Sequence, residues 1–248
     1  MSNGSGRRAG TAGALTTTLG IAALLSLGVT FALGLSLPAT VEQGDYSRLI
    51  AIHPGLAWAS YVAFGVGALA SAAWLWPRTR ARSWDLLAGA SMEVAVLFTA
   101  LTLVTGSIWG RPTWGVWWTW DARLTLSALM FMLELGYLAL RRVPADVEIT
   151  ANRSAVAALL SVVVVPVNHF AVEWWRTLHQ GRSLMQLNPR RELDGEFIGA
   201  MLVGFLAMTL VYSWLVVHRV RVARLEAAED ESMLARALDE RRAEEVTV

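Results

Sequence analysis

The sequence predicts an all-α polytopic membrane protein with six transmembrane helices, a tryptophan-rich loop on the outer face and a charged cytoplasmic C-terminal helix. Three observations carry this reading. Apolar residues fill 55% of the 248 positions and gather in blocks of about 20, the number a helix needs to cross the hydrocarbon core of a bilayer. The 21 basic side chains are all arginine, and they group on alternate connections between those blocks, as the positive-inside rule requires. The segment 107–123, set between two apolar blocks, holds five tryptophans, two glycines and a proline.

The first block, 15–37, exceeds the apolar core of about 7–15 residues found in a secretory leader, so it is expected to remain as a helix. The next spans are 55–76, 86–108 and 124–140. The fifth, 155–170, is short, and Pro166 inside it should bend the helix, free a carbonyl and let Asn168 and His169 point inward. The sixth is 197–217. Arg7 and Arg8, then Arg78, Arg80 and Arg82, then Arg141, Arg142 and Arg153, then Arg219, Arg221 and Arg224 mark one side. That side is read as cytoplasmic, with both termini on it and the spans in the cytoplasmic (inner) membrane. The chain divides into a membrane domain, 1–218, and a charged tail, 219–248. In the tail Arg224, Glu226, Glu229 and Asp230 alternate in sign among the sparse apolar positions Leu225, Leu234 and Leu238, the pattern of a solvated helix continuing the last span.

Composition excludes several classes. The net charge of +1 leaves no concentrated basic face for nucleic acid. Without cysteine the chain can form no disulfide, thiolate metal site or thioether link to haem.

The opposite side of the membrane receives 38–54, the tryptophan loop (107–125) and 171–196, and these carry the chemistry. The tryptophan loop lacks an apolar stripe at helical spacing and contains breakers, so it does not read as one amphipathic helix. An interfacial belt explains two or three indoles. Trp109, Trp114, Trp117, Trp118 and Trp120 together suit a flat, apolar, extended ligand, and the neighbouring Arg111 and Arg123 suit acidic groups upon it. Arg176, Arg182, Arg190 and Arg191 run against the charge bias, and binding an anion is one reason for arginines there.

His53, just before Pro54 at the mouth of the second span, and His169, ending the fifth, fall at one depth on the outer side. Each alone reads equally as an interfacial side chain bonded to backbone or headgroups; together they could coordinate a planar metal cofactor from its two faces. His179 lies in a second loop with Trp174, Trp175 and Arg176 and reads as structural or supporting. His218 sits at the cytoplasmic end of the sixth span. Glu93 and Glu134 lie at similar depths inside apolar spans, where carboxylates are costly. No basic residue within the spans neutralises them, so at least one is expected to be protonated, with Ser91, Ser127 or Tyr137 as partners; helix-to-helix glue and proton or cofactor handling both remain open. Asp121 is expected to cap the fourth span or to order the loop by pairing with an arginine.

Trp109-Gly110-Arg111-Pro112-Thr113-Trp114-Gly115 followed by Trp117-Trp118-Thr119-Trp120-Asp121-Ala122-Arg123 resembles the tryptophan-rich "WWD" signature of haem-handling membrane proteins. Pro166-Val167-Asn168-His169-Phe170-Ala171-Val172-Glu173-Trp174-Trp175-Arg176-Thr177-Leu178-His179 resembles the CcmC branch in particular, the cytochrome c maturation proteins. The resemblance covers nearly all the chain from the first span to the sixth. It implies haem b held against the tryptophan loop, with His53 and His169 as axial ligands and the arginines on its propionates. It also implies partners: a periplasmic haem chaperone, a small single-span accessory protein, the subunits of an ATP-binding cassette (ABC) transporter, and membrane lipid. The protein would present haem without itself being an enzyme. Two other classes fit the residues less well. A cytochrome b-type redox enzyme needs ligands at both faces, and His218 has no partner at its depth. A haem or small-solute permease would show internal repeats or paired broken helices, and the spans show neither.

Overall fold

The computed structural model describes residues 13–179 and 195–247. Among these, six helical segments are long and apolar enough to cross a membrane. They comprise α1 (Ala14–Ser36), α2 (His53–Leu75), α3 (Arg82–Trp114), α4 (Ala122–Arg142), the pair α5 (Val147–Ser161) and α6 (Val164–Trp174), and α7 (Gly195–Thr247). A 3-10 turn, Asp45–Ala51, leads into α2. The chain runs up and down, so the segments before α2, between α3 and α4, and after α6 share one end of the bundle, here the loop end. The short connections before α3 and α5 and the extension of α7 share the other, the tail end.

Small residues place α2 at the centre. Its buried face carries Gly55, Ala59, Ser60, Ala63, Gly67 and Ala70, and α3 answers with Ala88, Gly89, Ala90, Ser91 and Ala95. Helices in lipid gain nothing from apolar burial alone, so close backbone approach supplies the packing. A Cβ on Gly67 would lie 2.9 Å from the Met92 side chain, and one on Gly55 would lie 2.7 Å from the Gly204 carbonyl of α7. Leu56, Val94, Phe98, Met208 and Tyr212 fill the space among α2, α3 and α7. α1 leans on α7, where Gly20 admits the indole of Trp214, and shows Leu24, Leu25 and Leu35 outward.

Polar clamps hold the tail end. Asp85, buried at the start of α3, accepts hydrogen bonds from Arg82 at 2.6 Å and from Arg141 of α4 at 2.6 and 3.2 Å. Trp74 of α2 donates to Asn152 of α5 at 3.0 Å, and Arg80 donates to both Asn152 and Glu148.

Four sequence expectations change. The first half of the tryptophan segment is helical: α3 runs through Pro112 to Trp114, because a proline in the last turn forfeits only one ladder bond. Gly115 then closes the helix in the left-handed region at φ 77°, its N–H donating to the Arg111 carbonyl, a conformation that favours glycine. The fifth span is longer than 155–170 and breaks at Val162 and Val163, one turn before Pro166. Pro166 has no N–H for the Val162 carbonyl, which instead accepts from Val165 at 3.0 Å in a tighter turn. Glu93 is neutralised after all. Arg219, just past the expected end of the sixth span, stays in register on the unbroken α7 and snorkels back to Glu93, with Nη2 donating to Oε1 at 3.0 Å and Nη1 donating to Glu226 at 3.0 Å. Glu134 is fully buried, and its partner is Thr99, whose hydroxyl donates to Oε1 at 2.9 Å. Of the partners expected for it, Ser91 donates to the Ala63 carbonyl and pairs with the Tyr212 hydroxyl, Ser127 donates to the Arg123 carbonyl, and Tyr137 sits against Arg141.

Candidate functional site: a tryptophan- and histidine-lined cavity

A cavity of about 370 Å³ lies at the loop end of the bundle among α2, α3, α4 and α6. Its wall on α3 comes from Gly106, Trp109, Gly110 and Trp114, which follow one another at helical spacing once α3 is seen to continue. Trp109 is fixed by its indole N–H, which donates to Gln43 at 3.0 Å.

His53 opens α2, with Pro54 in the first turn where its missing N–H costs nothing. Its ring stands edge-on to Trp109, centroids 5.7 Å apart. Nδ1 lies 2.9 Å from the Thr105 hydroxyl, and that hydroxyl already donates its one proton to the Leu101 carbonyl at 2.8 Å. With that proton directed at the carbonyl, the hydroxyl accepts from Nδ1–H, an arrangement that leaves Nε2 its lone pair. That is the tautomer a metal-binding imidazole needs, held by a bond to its other nitrogen. Gly106 makes room: a Cβ there would lie 2.9 Å from His53 Cε1.

His169 faces the same cavity from α6 and meets Tyr61 edge-on at 6.2 Å and Phe170 at 5.1 Å. α4 holds this stretch of α6. Arg123 Nη1 donates to the carbonyls of Asn168 and His169 at 3.0 and 3.1 Å, and the buried Asn168 amide donates to Ser127 at 3.1 Å. Arg123 lines the cavity while steadying the backbone that carries His169.

Asp121 caps α4, as one of the two expected roles required: Oδ1 accepts from the Leu124 N–H at 2.9 Å. Its other oxygen meets no arginine among the described residues; it accepts from the Leu178 N–H at 2.9 Å and joins the two outer loops. Asp121→Ala removes both bonds and is expected to cost about 1–2 kcal/mol. Proteolysis within 175–179 should accelerate along with a lower melting temperature in detergent; unchanged cleavage would show that the Leu178 bond holds nothing.

The tryptophans do not form one platform. Trp109, Trp114 and Trp118 line the cavity, whereas Trp117 and Trp120 turn outward, 58% and 79% exposed. The loop after Gly115 bends through Val116 and Trp117, and Ser107 ties it back by donating to the Trp117 carbonyl at 2.7 Å. Arg111 donates to the Gly115 carbonyl and closes α3, away from the cavity lining. Arg176 is exposed and also outside the lining; Arg182 lies outside the described residues. His179 joins the lining, 6.4 Å from Trp114. Gln43, Trp58, Tyr61, Thr99 and Phe205 also line the cavity and were missed. Trp58 and Tyr61 had a signal, since with Pro54 they form one stripe at helical spacing beside His53. Gln43, Thr99 and Phe205 had none.

The chemistry of the site fits a planar metal macrocycle. Among the described residues no three His, Cys, Asp or Glu side chains gather to hold a bare metal ion, and two imidazoles suit a metal that carries equatorial ligands of its own. In the lining, Trp118 Nε1 is buried without a hydrogen-bond partner among the described residues, and an unmet buried donor is costly enough to expect an acceptor.

Fold and site together define a multi-span membrane protein with a cavity at its loop end lined by tryptophans and by imidazoles from separate helices. The family model of CcmC, described as heme exporter protein C, matches residues 4–235, and the chain belongs to this family. It is 38% identical over 216 residues to heme exporter protein C of Haemophilus influenzae, covering 86% of each chain. It is 39% identical over 176 residues to the protein of that name in Bradyrhizobium diazoefficiens, covering 71% of this chain and 65% of the other. A ccmC-like mitochondrial protein of Marchantia polymorpha, named for cytochrome c biosynthesis, is 35% identical over 149 residues, 60% of this chain and 62% of its own.

Proposed function

We propose that this protein binds haem b at the outer face of the cytoplasmic membrane and presents it to a periplasmic haem chaperone, as part of haem export for cytochrome c biogenesis. The observation that carries this reading is the pair of imidazoles on separate helices of one tryptophan-lined cavity, with His53 Nε2 left as the coordinating nitrogen by the Thr105 bond. His53 and His169 hold the iron. Trp109, Trp114 and Trp118 pack against the macrocycle. Arg123 and the Trp118 N–H meet the propionates, joined by Arg111 and Arg176 when a propionate or partner draws these two from their present places, and by Arg182. Trp117 and Trp120, outside the lining and with Asp121 between loops, form the rim on which the chaperone settles. Iron is cargo here, and the chain supplies orientation and a low-water surface; the reaction that bonds haem to the chaperone uses the chaperone's own side chain. The accessory single-span protein and the ABC transporter subunits complete the assembly, with both termini of this chain on the cytoplasmic side.

The reading is tested by mixing haem-loaded, purified protein with apo-chaperone and following the absorption spectra of the separated proteins. Haem moving to the chaperone, and moving at least about tenfold more slowly from a Trp117→Ala/Trp120→Ala variant loaded to the same extent, is the expected result. A wild-type protein that keeps all its haem in the presence of chaperone, accessory protein and transporter would overturn it.

A further inference from the structure

We propose that haem reaches this cavity sideways from the bilayer, through a cleft between the loop-end halves of α2 and α6. The inference rests on the haem-binding reading above and adds the route and the phase from which the ligand is drawn.

The break in the fifth span creates the cleft. Below it, α5 packs on α2: Ala151 and Ala155 lie against Trp74, and the Trp74–Asn152 bond closes the seam. Above it, α6 is held to α4 by Arg123 and Ser127. One neighbour is thus exchanged for another at Val162 and Val163, and α2 and α6 part toward the loop end. What bridges them at cavity level is an edge-on ring contact, Tyr61 to His169, centroids 6.2 Å apart.

The α2 side of the cleft carries Pro54, Ala57, Trp58 and Tyr61, all in the cavity lining. Trp58 is at the same time 47% exposed, so a single side chain faces both the cavity and the surroundings of the bundle. It lies five residues into α2 from His53, about 7 Å along the axis, at the depth of acyl chains. Its indole N–H is satisfied by donation to Thr209 at 3.1 Å, which leaves an apolar ring at the opening. One turn below Tyr61, a Cβ on Gly65 would meet nothing within 4 Å. The loop end is roofed instead: Trp114, Leu178 and His179 lie over the cavity, and Asp121 pins Leu178 in place. The site is covered toward water and open toward lipid. A flat amphiphile that dissolves in a bilayer with its acidic edge at the headgroups presents its apolar edge to Trp58 and its metal first to His169.

Two haem conjugates separate the routes: one linked through a propionate to phosphatidylethanolamine, confined to the bilayer, and one linked the same way to dextran, confined to water. Apo-protein in phosphatidylcholine proteoliposomes is expected to take up the lipid-linked haem at least about tenfold faster, read from the Soret shift. Because the chain has no cysteine, a Gly65→Cys variant, outside the cavity lining and in open space, can be coupled at that point alone to a bulky maleimide after folding, which should bring the ratio of the two rates toward one. A ratio at or below one in the wild type, or a ratio that the maleimide leaves unmoved, overturns lateral access while leaving haem binding intact. Failure of the wild type to take up free haem takes down the haem-binding reading, and lateral access with it.

Discussion

Replacing His53 and His169 together with alanine is expected to lower the haem bound per polypeptide by at least about tenfold and to abolish the Soret band of a bis-imidazole complex. Ligand supply sets this outcome: among the described residues His179 is then the histidine left in the cavity lining, and a single imidazole cannot make a bis-imidazole complex. Thr105→Val should act on the same property more gently. Without the acceptor for Nδ1–H the proton is free to move to Nε2, and losing such an outer hydrogen bond weakens metal binding by about 10- to 100-fold. His218→Ala is the control, since that ring packs edge-on against Trp214 near the tail end, 5.5 Å between centroids, far from the cavity lining. Haem content measured by pyridine haemochrome beside protein concentration checks all of these; equal occupancy in the wild type and the double variant would remove both ligands from the assignment.

Gly204→Leu is expected to abolish the folded protein. α7 crosses the start of α2 so closely that even a single Cβ at this position would strike the Ala51 carbonyl oxygen, and Gly55 opposite is as tight against the Gly204 carbonyl, at 2.7 Å. The obstacle is backbone on both sides, which cannot swing aside as a side chain would. Overpacking costs about 1–3 kcal/mol where side chains can yield, and here at least the upper figure applies. Gly199→Ala, one turn nearer the loop end on the same helix, meets nothing within 4 Å and should be neutral or mildly stabilising. Size-exclusion profiles with heating in detergent separate the two; a monodisperse Gly204→Leu protein with an unchanged melting temperature would mean that the crossing is looser than described.

The spans were legible because lipid imposes length and composition directly, and His53, His169 and Trp109 were legible because they are rare residue types set at the edges of such spans. What escaped was decided by the third dimension. Pro112 and the two glycines read as breakers, yet α3 carries the first of them in its last turn and ends on the second; a breaker signals an end without saying on which side of it the end falls. Trp117 and Trp120 carry the same indole as Trp118, and only the path of the folded loop separates outward from inward. Arg219 looked like an ordinary basic flank because pairing with Glu93, 126 positions away, leaves no local pattern. Thr99 and Gln43 are common residues whose roles come wholly from what packs opposite them.

α7 has one further consequence. It runs unbroken for 53 residues, about 80 Å, with no proline or glycine beyond Gly204 to act as a joint. The ion pair of Arg219 with Glu93 fixes how this rod is turned about its own axis where it leaves the bundle. The direction in which Leu234 and Leu238 look, over 20 Å further on by helical rise, is therefore set against α3, as the angle of a crank handle is set by the key in its shaft. Twisting the far end works against that key, and the helix that receives the torque is the one that carries Thr105, Gly106 and Trp109.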